Sequence, residues 1–357
     1  MVRAMILGYY GYGNVGDEAI LGELVKWLQE TDLVDEIVVL SANPRLTSAR
    51  LNVRAIHRYR LDLISKELIR SSVLVGGGGS LIQDQTSVRS SLYYLSILAA
   101  AILLKRKVAV VGQGIGPLNS GLVRKLARAV FTAADYVSLR DQGSIEMLKE
   151  IGVPEKRVRL TADLAFLSQR AGLRLTDPAV AERGPIVLVV PHGRASGAQS
   201  NWPATVIQTL EGFLRNRSYQ DLVVTAFQRG DSVRLADGAI LYPPAASPES
   251  ADQLVRSASV VISARLHGLI LAVRAGVPCI AVGSDPKIRH FAREAGLPWI
   301  DPASPPSAVA DAVLDRVQAV LGNYAAVSES VKLSSEKMRE RAEAGMAGLY
   351  SLLKSLR

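Results

Sequence analysis

The sequence contains a single cysteine among 357 residues, so an internal disulfide is excluded. Cys279 lies in the apolar run 277–282, which indicates that its thiol packs in a protein core. Histidine is also scarce, and its four positions show no metal-ligand spacing: His57, His192, His267 and His290. The sequence therefore predicts no metal site.

Aromatic residues make up only 5% of the chain, and no basic run alternates with rings that could stack on bases. This scarcity disfavours nucleic acid as a partner. The 42 Lys and Arg residues exceed the 33 Asp and Glu residues, which gives a net charge of +9. Such a surplus suits an anionic substrate or an anionic membrane surface.

Long hydrophobic runs are missing too. The longest covers residues 92–104, which is shorter than the roughly 20 residues that a bilayer-spanning helix needs. Basic residues flank this run, so it could rest on a membrane surface, but an ordinary core helix is the favoured interpretation. Residues 1–8 resemble a first strand rather than a signal peptide. We expect a cytoplasmic protein, with peripheral contact at the inner face of the membrane as the alternative.

Hydrophobic residues make up 48% of the chain, as in packed globular proteins. Short β-rich runs alternate with helical patterns from end to end, which favours parallel sheets with helices on both faces. The predicted fold class is α/β, with two doubly wound Rossmann-like domains facing a cleft. Strands are predicted at residues 4–8, 36–40, 73–75, 108–111, 136–139, 157–160, 186–190, 222–227, 260–262 and 278–282.

The polar segment 169–185 contains two glycines and two prolines and is the predicted linker. It separates an N-terminal domain of residues 1–168 from a C-terminal domain of residues 186–320. Residues 321–357 form an amphipathic helical pattern that could cross back onto the N-terminal domain. In doubly wound sheets ligands bind beyond the carboxyl ends of the strands, so we expect the functional residues at those edges.

A glycine-rich loop follows the first predicted strand and reads Gly8-Tyr-Tyr-Gly-Tyr-Gly-Asn-Val-Gly-Asp-Glu18. Its Gly-x-Gly-x-x-Gly spacing fits a dinucleotide fingerprint. We reject NAD because Asp17 and Glu18 would repel a pyrophosphate at the helix start. The second strand also ends without a carboxylate for a ribose hydroxyl.

The loop instead suggests a tyrosine-lined wall for a sugar. Asp17 and Glu18 could accept hydrogen bonds from sugar hydroxyls or act as a base, or they could simply favour the helix dipole.

Two further glycine-rich segments follow later strands, at residues 76–80 and 112–117. Three such segments on one sheet edge indicate that a ligand comes close to the main chain. From this edge we take six acceptor-binding candidates: Tyr10, Asn14, Asp17, Glu18, Gly77 and Gly78.

Basic residues stand at two strand-to-helix junctions of the second half, Arg265 and Lys287. Asp285 as N-cap and Pro286 as first helical residue place Lys287 in the first turn of a helix. His267 lies two residues after Arg265. Because helix N-termini favour negative charge, the pattern predicts a small-polyanion site, with surface solvation as the alternative.

Arg140 ends a predicted strand and should point into the cleft, unless it pairs with Asp141 or Asp163. His192 and the Gln228-Arg229 pair also follow strand ends and rank lower, since loop packing explains them as well.

Six motifs in this order resemble the polysaccharide pyruvyltransferases, and the CsaB-like type that acts on bacterial cell-wall polymers in particular. They are the loop 8–19, Val75-Gly-Gly-Gly-Gly-Ser, Gly112-Gln-Gly-Ile-Gly-Pro, Ser138-Leu-Arg-Asp, Arg265-Leu-His and Asp285-Pro-Lys. The resemblance covers residues 1–300. Two positions depart from the family pattern: Leu164 in Asp163-Leu-Ala-Phe, where relatives commonly have proline, and Ala264, where they often have methionine.

The resemblance implies a GT-B-like fold and a reaction without metal or other cofactor. In that reaction the enolpyruvyl group of phosphoenolpyruvate forms a ketal with two hydroxyls of a cell-wall sugar, such as N-acetylmannosamine, and phosphate is released. The resemblance assigns phosphoenolpyruvate to Arg140, Arg265 and Lys287, and general acid catalysis to His267.

The resemblance also suggests a role in S-layer anchoring and an acceptor on a polyprenyl diphosphate, bound by the N-terminal domain. A homo-oligomer is compatible with the sequence. A GT-B glycosyltransferase that uses a nucleotide sugar is the alternative function, and a non-catalytic polysaccharide-binding protein is a third.

Overall fold

The computed structural model describes residues 1–168, 186–191, 202–215, 221–228, 240–241, 245 and 247–357. The chain divides into two compact units. Unit 1 comprises Met1–Ser168 with Met338–Arg357, and unit 2 comprises Gln169–Lys337. The predicted linker 169–185 lies outside the described residues, and so do His192 and Arg229.

Unit 1 is built on an eight-stranded parallel sheet. Its strands are β1 Arg3–Leu7, β2 Glu36–Ser41, β3 Arg54–His57, β4 Val73–Gly76, β5 Gly79–Ile82, β6 Lys107–Ile115, β7 Tyr136–Leu139 and β8 Val158–Leu160. They follow the order β3-β2-β1-β4-β6-β7-β8, and β5 pairs with β6 at its carboxyl end. The central strands are buried at nearly every position, because helices cover both faces of a parallel sheet.

The helices of unit 1 connect these strands: α1 Val15–Glu30, α2 Pro44–Leu51, α3 Leu61–Arg70, α4 Val88–Leu103, α5 Gly121–Ala133 and α6 Gln142–Glu150. The apolar run 92–104 lies mostly in α4, and this helix buries Tyr94, Leu95 and Leu98 in the core of the unit. In the part of the chain that the structure describes, no helix is both long and apolar enough to cross a membrane.

The described part of unit 2 contains a six-stranded parallel sheet in the order β11-β10-β9-β12-β13-β14. Its strands are β9 Ile186–Val190, β10 Asp221–Val224, β11 Ile240–Leu241, β12 Val260–Ser263, β13 Cys279–Val282 and β14 Trp299–Ile300. The helices among the described residues of this unit are α7 Trp202–Arg215, α8 Pro248–Ser257, α9 Leu266–Arg274, α10 Pro286–Ala295 and α11 Pro306–Gly322.

The last helix, α12 Tyr324–Lys354, contributes to both units, and its residues from Met338 onward belong to unit 1. There the Arg341 guanidinium donates to the Thr161 carbonyl at 2.6 Å, and the Thr161 hydroxyl donates to the Arg341 carbonyl at 2.9 Å. A Cβ atom on Gly345 would overlap the Thr161 side chain. A glycine therefore allows the helix to approach this close.

The expected α/β class with doubly wound parallel sheets is confirmed. Most predicted strands agree with the structure to within two residues, but four short strands were missed: β3, β5, β11 and β14. The interpretation of residues 112–117 as a loop is wrong for residues 112–115, because β6 continues to Ile115. The strand predicted at residues 222–227 ends at Val224.

Candidate functional site

The basic junctions of unit 2 lie side by side. Strands β12 and β13 are parallel neighbours, with Ser263 in register with Ala281. Helix α9 begins after β12 and helix α10 begins after β13, so both helices start at the carboxyl edge of the same sheet. Arg265 and His267 belong to the first junction and Lys287 to the second. The structure thus brings three basic side chains to two adjacent helix starts.

Ser263 fixes the conformation at the first junction. Its buried hydroxyl accepts a hydrogen bond from the Arg265 amide at 3.0 Å and donates to the Arg265 carbonyl at 2.8 Å. Arg265 is the N-cap residue of α9 in an extended conformation, and a Cβ atom on Gly268 would overlap the Ser263 hydroxyl. The Ser-x-Arg-x-x-Gly spacing therefore sets where the arginine leaves the strand and where the helix begins.

The second junction has the predicted geometry. Asp285 is the N-cap residue of α10 and accepts a hydrogen bond from the Lys287 amide at 3.1 Å, while Pro286 is the first helical residue. The Lys287 ammonium lies 3.0 Å from the other Asp285 oxygen, and its side chain is 44% exposed. The predicted cap and first turn are confirmed.

Acidic residues are missing from the first turns of both helices, although negative charge is favoured there. These turns carry His267, which is half-buried, and Lys287. Basic residues thus stand at helix N-termini, and that combination suits an anion such as a phosphate or a carboxylate.

The glycine-rich edge of unit 1 is organised differently from our expectation. Tyr10 is completely buried, and its ring packs so closely on Gly8 and Gly77 that a Cβ atom on either would overlap it. Gly78 is buried as well, against the Gly112 carbonyl and Ile20. The protein's own side chains therefore fill the space around Tyr10, Gly77 and Gly78, and their assignment to a sugar acceptor stays a prediction.

Three other acceptor candidates have structural roles at the start of α1. Asn14 is the N-cap residue, and its side chain accepts a hydrogen bond from the Gly16 amide at 3.2 Å. Glu18 accepts from the Gly11 amide at 2.6 Å and pairs with Arg50 at 2.7 Å. Asp17 is also buried. The contacts of Glu18 with Gly11 and Arg50 are structural ones within unit 1.

Asp17 accounts for the last glycine of the quadruple run. Gly79 has a φ of +91°, which favours glycine, and a Cβ atom there would lie 2.6 Å from the Asp17 carboxylate. A Cβ atom on Gly114 would similarly lie 2.8 Å from the Arg140 guanidinium. What approaches the main chain at these glycines is a charged side chain of unit 1 itself, which corrects our interpretation of the glycine-rich segments.

Arg140 is held inside unit 1. Its side chain is 5% exposed, and it pairs with Asp163 at 2.9 Å and lies 3.5 Å from Asp141. It also donates to the Ser80 hydroxyl at 2.7 Å. The pairing with Asp163, which was the alternative to a ligand contact, is present. The assignment of Arg140 to phosphoenolpyruvate stays a prediction.

Sequence reasoning missed Arg58, which follows β3 and lies among five tyrosine rings. The available signal was the placement of tyrosines in three places, at residues 9–12, 59 and 93–94. Only the strand order β3-β2-β1 brings the first two of these segments to one edge of the sheet.

A family model described as polysaccharide pyruvyl transferase matches residues 14–286, which is most of the chain. The chain belongs to this family. The matched range includes Asn14 at the start of α1, Arg140, and the junction that carries Arg265 and His267, and it ends one residue before Lys287.

Two kinds of relatives accompany this result. The chain is 24% identical to the amylovoran biosynthesis protein AmsJ of Erwinia amylovora, over 95% of this chain and 96% of that protein. Among solved structures it is similar to a UDP-GlcNAc 2-epimerase from Neisseria meningitidis bound to UDP-GlcNAc, with a TM-score of 0.65, 9% identity and coverage of 98% and 100% of the two chains. It is also similar to Anabaena HepE in complex with UDP and glucose, with a TM-score of 0.61, 12% identity and coverage of 99% of this chain and 100% of that chain. At such identities these structures establish the GT-B-like fold alone.

Proposed function

We propose that this member of the family transfers the enolpyruvyl group of phosphoenolpyruvate onto two hydroxyls of a saccharide and forms a cyclic pyruvate ketal. The observation that carries the proposal is the placement of Arg265, His267 and Lys287 at two adjacent helix starts of unit 2. N-acetylhexosamines such as N-acetylmannosamine are the acceptors that we propose to test first.

Phosphoenolpyruvate carries a phosphate and a carboxylate on three carbons, so it needs two anion-binding groups close together. A guanidinium such as that of Arg265 can bind either group through two parallel hydrogen bonds, whereas the Lys287 ammonium acts as a point charge. The two helix N-termini add their backbone N–H groups. We assign the donor to these unit 2 cations and not to Arg140, because Arg140 is buried and paired with Asp163.

His267 is the proposed general acid because it lies in the first turn of α9, beside the donor-binding cations. The imidazolium gives its proton to the methylene carbon of the donor, and an oxocarbenium-like centre develops at the next carbon. A sugar hydroxyl attacks that centre, the bond to phosphate breaks, and a second hydroxyl closes the ketal. The two hydroxyl protons go to His267 and to the departing phosphate, so the proton count balances.

The decisive experiment compares donors on the purified protein. We expect phosphoenolpyruvate to raise the thermal midpoint, and UDP-glucose and UDP-N-acetylglucosamine to leave it unchanged. Inorganic phosphate should then be released from phosphoenolpyruvate when a saccharide acceptor is present. Stabilisation by a UDP-sugar but not by phosphoenolpyruvate would favour a nucleotide-sugar glycosyltransferase and contradict the proposal.

A further inference from the structure

Arg58 is a buried cation in an unusual environment. It is 3% exposed, and within the described residues no carboxylate pairs with it. One guanidinium nitrogen donates to the Tyr94 hydroxyl at 3.0 Å and approaches the Gly8 carbonyl at 3.5 Å. Its Nε atom is buried without a hydrogen-bond acceptor among the described residues. An ion pair therefore does not stabilise this charge.

Tyrosine rings stabilise it instead. The guanidinium carbon lies between 4.7 and 5.9 Å from five ring centroids. These rings, which we call the tyrosine cluster, belong to Tyr9, Tyr12, Tyr59, Tyr93 and Tyr94. The negative faces of aromatic rings attract a cation within about 6 Å, and an arginine at the centre holds rings from three chain segments together.

The outer rings of the tyrosine cluster remain accessible. Tyr59 is 60% exposed, while Tyr9 and Tyr12 are half-buried and stacked, with centroids 4.3 Å apart and planes 13° apart. The hydroxyls of Tyr12 and Tyr59 lie 3.3 Å apart. Burial, together with this hydrogen bond, raises the pKa of Tyr12 to about 12, so its hydroxyl stays neutral at physiological pH. The result is an ordered, partly exposed group of aromatic rings with two neighbouring hydroxyls.

The tyrosine cluster lies at the edge where ligands of doubly wound sheets bind. Tyr9 and Tyr12 follow the carboxyl end of β1, and Tyr59 follows the carboxyl end of β3. A packing role alone would bury these rings, as it buries Tyr10 and Tyr94. Rings that are held in place and still exposed are typical of a binding surface.

We propose that the tyrosine cluster is a saccharide subsite, in which a hexopyranose ring of the acceptor stacks on the exposed tyrosine faces, with Arg58 as their positioning residue. A pyranose has an apolar face of C–H groups and a rim of hydroxyls, and the tyrosine cluster offers the complementary arrangement. That the bound saccharide is the acceptor rests on the proposed function. A lipid surface is the competing occupant, since Leu61 beside the tyrosine cluster is 67% exposed. The paired hydroxyls favour the sugar.

Binding of the full-length protein to an array of bacterial polysaccharide fragments tests the subsite without a donor. We expect Tyr59→Ala and Tyr12→Ala each to weaken retention about 10-fold, and Tyr59→Phe, which keeps the ring but loses one of the paired hydroxyls, to bind more tightly than Tyr59→Ala and less tightly than the wild type. Tyr350→Ala is the matched control, because Tyr350 is 43% exposed in the same unit and outside the tyrosine cluster. Its retention should not change.

Three outcomes overturn the subsite. They are a wild type that retains no glycan, a Tyr59→Ala variant that retains glycans as the wild type does, and a Tyr59→Ala variant that loses only its binding to vesicles of anionic phospholipid. If Tyr59→Ala abolishes retention while the wild type releases no phosphate from phosphoenolpyruvate, the subsite stands and the proposed function fails. With an active enzyme, Tyr59→Ala should raise KM for the acceptor about 10-fold and leave KM for phosphoenolpyruvate unchanged.

The role of Arg58 has a test of its own. Arg58→Met should weaken glycan retention, because the rings lose the central cation, and Arg58→Lys should restore most of it. Unchanged retention by a folded Arg58→Met variant would contradict the positioning role. If that variant does not fold, the exposed Tyr59 and Tyr12 variants still decide whether the surface binds sugar.

Discussion

The carboxyl edges of the two sheets differ in the charge of the residues at their helix starts. In unit 1 the edge is acidic at the start of α1, and its charged groups are engaged internally: Glu18 with Arg50, and Arg140 with Asp163. In unit 2 the first turns of α9 and α10 have no acidic residue and carry His267 and Lys287, and the one carboxylate at these helix starts is the N-cap Asp285, which lies 3.0 Å from the exposed Lys287 ammonium. Two sheets of the same fold class thus differ in the charge at their edges.

The difference shows how one architecture can be adapted to unlike ligands. A helix N-terminus that carries its own carboxylates has little affinity left for an external anion, whereas one that carries a cation gains from binding an anion. Unit 1 correspondingly exposes tyrosine rings at its edge, which suit a neutral sugar, and unit 2 exposes cations.

The largest expected effect belongs to His267 in unit 2. His267→Ala should lower kcat about 10²–10⁴-fold, because general acid catalysis contributes that much, while donor affinity changes far less. Phosphate release from phosphoenolpyruvate measures both parameters. His290→Ala, at a half-buried histidine of the neighbouring helix, is the control. Near wild-type turnover in His267→Ala would show that this histidine has only a packing role.

The next largest effect concerns Arg140 in unit 1, and it is an effect on stability rather than on catalysis. Arg140→Met leaves Asp163 without its buried cation, which should cost about 3–5 kcal/mol of stability. Hydrogen exchange at β6 and β7 should accelerate, with unit 2 unaffected. Arg124→Met, which removes a more exposed pair with Glu150 in the same unit, should change little. Full stability with a raised KM for phosphoenolpyruvate would show that Arg140 binds the donor after all and would end the contrast between the edges.

Lys287 should show a smaller effect, and only on binding. Its pair with Asp285 is exposed, so Lys287→Ala should alter stability by less than about 1 kcal/mol. The lost contact to a donor anion should raise KM for phosphoenolpyruvate by about 10- to 100-fold. Lys149→Ala removes a comparable exposed pair with Glu155 and should change neither quantity. An unchanged KM in Lys287→Ala would remove this residue from the donor site.

The smallest effect concerns the interior of unit 2. Cys279 lies in the buried strand β13, and burial raises the pKa of its thiol well above the usual value. We expect no alkylation of the native protein by iodoacetamide between about pH 7 and 9, where an ordinary exposed thiol of pKa near 8.5 reacts, and full alkylation in urea. Rapid labelling of the native protein would show that this part of unit 2 opens to solvent.

Predictions from sequence succeeded where local chemistry decides the structure. Asp285, Pro286 and Lys287 form the expected helix start because a cap, a fixed φ angle and a first turn involve only neighbouring residues. The long buried strands were recognisable from their apolar runs. The missed strands are short, such as β14 with two residues, and they depend on pairing with a neighbour rather than on their own sequence.

The glycine-rich segments show what could not be predicted from the sequence. Their sequence indicated that some group lies close to the main chain. The structure shows such contacts, but the sequence could not identify the contacting groups as side chains of the protein itself. The contacts that decide it join residues far apart in the chain, such as Tyr10 with Gly77 or Asp17 with Gly79. The acceptor candidates taken from these segments therefore included several packing residues.

The sequence by itself determined the alternation of strands and helices, the positions of the basic residues at two helix starts of unit 2, and the family. Only the tertiary structure decided that Arg140 pairs with Asp163 and that Arg58 packs against five tyrosine rings. The reason is physical. Helix starts depend on hydrogen bonds between near neighbours in the chain, whereas charge pairing and ring packing depend on which strands lie side by side.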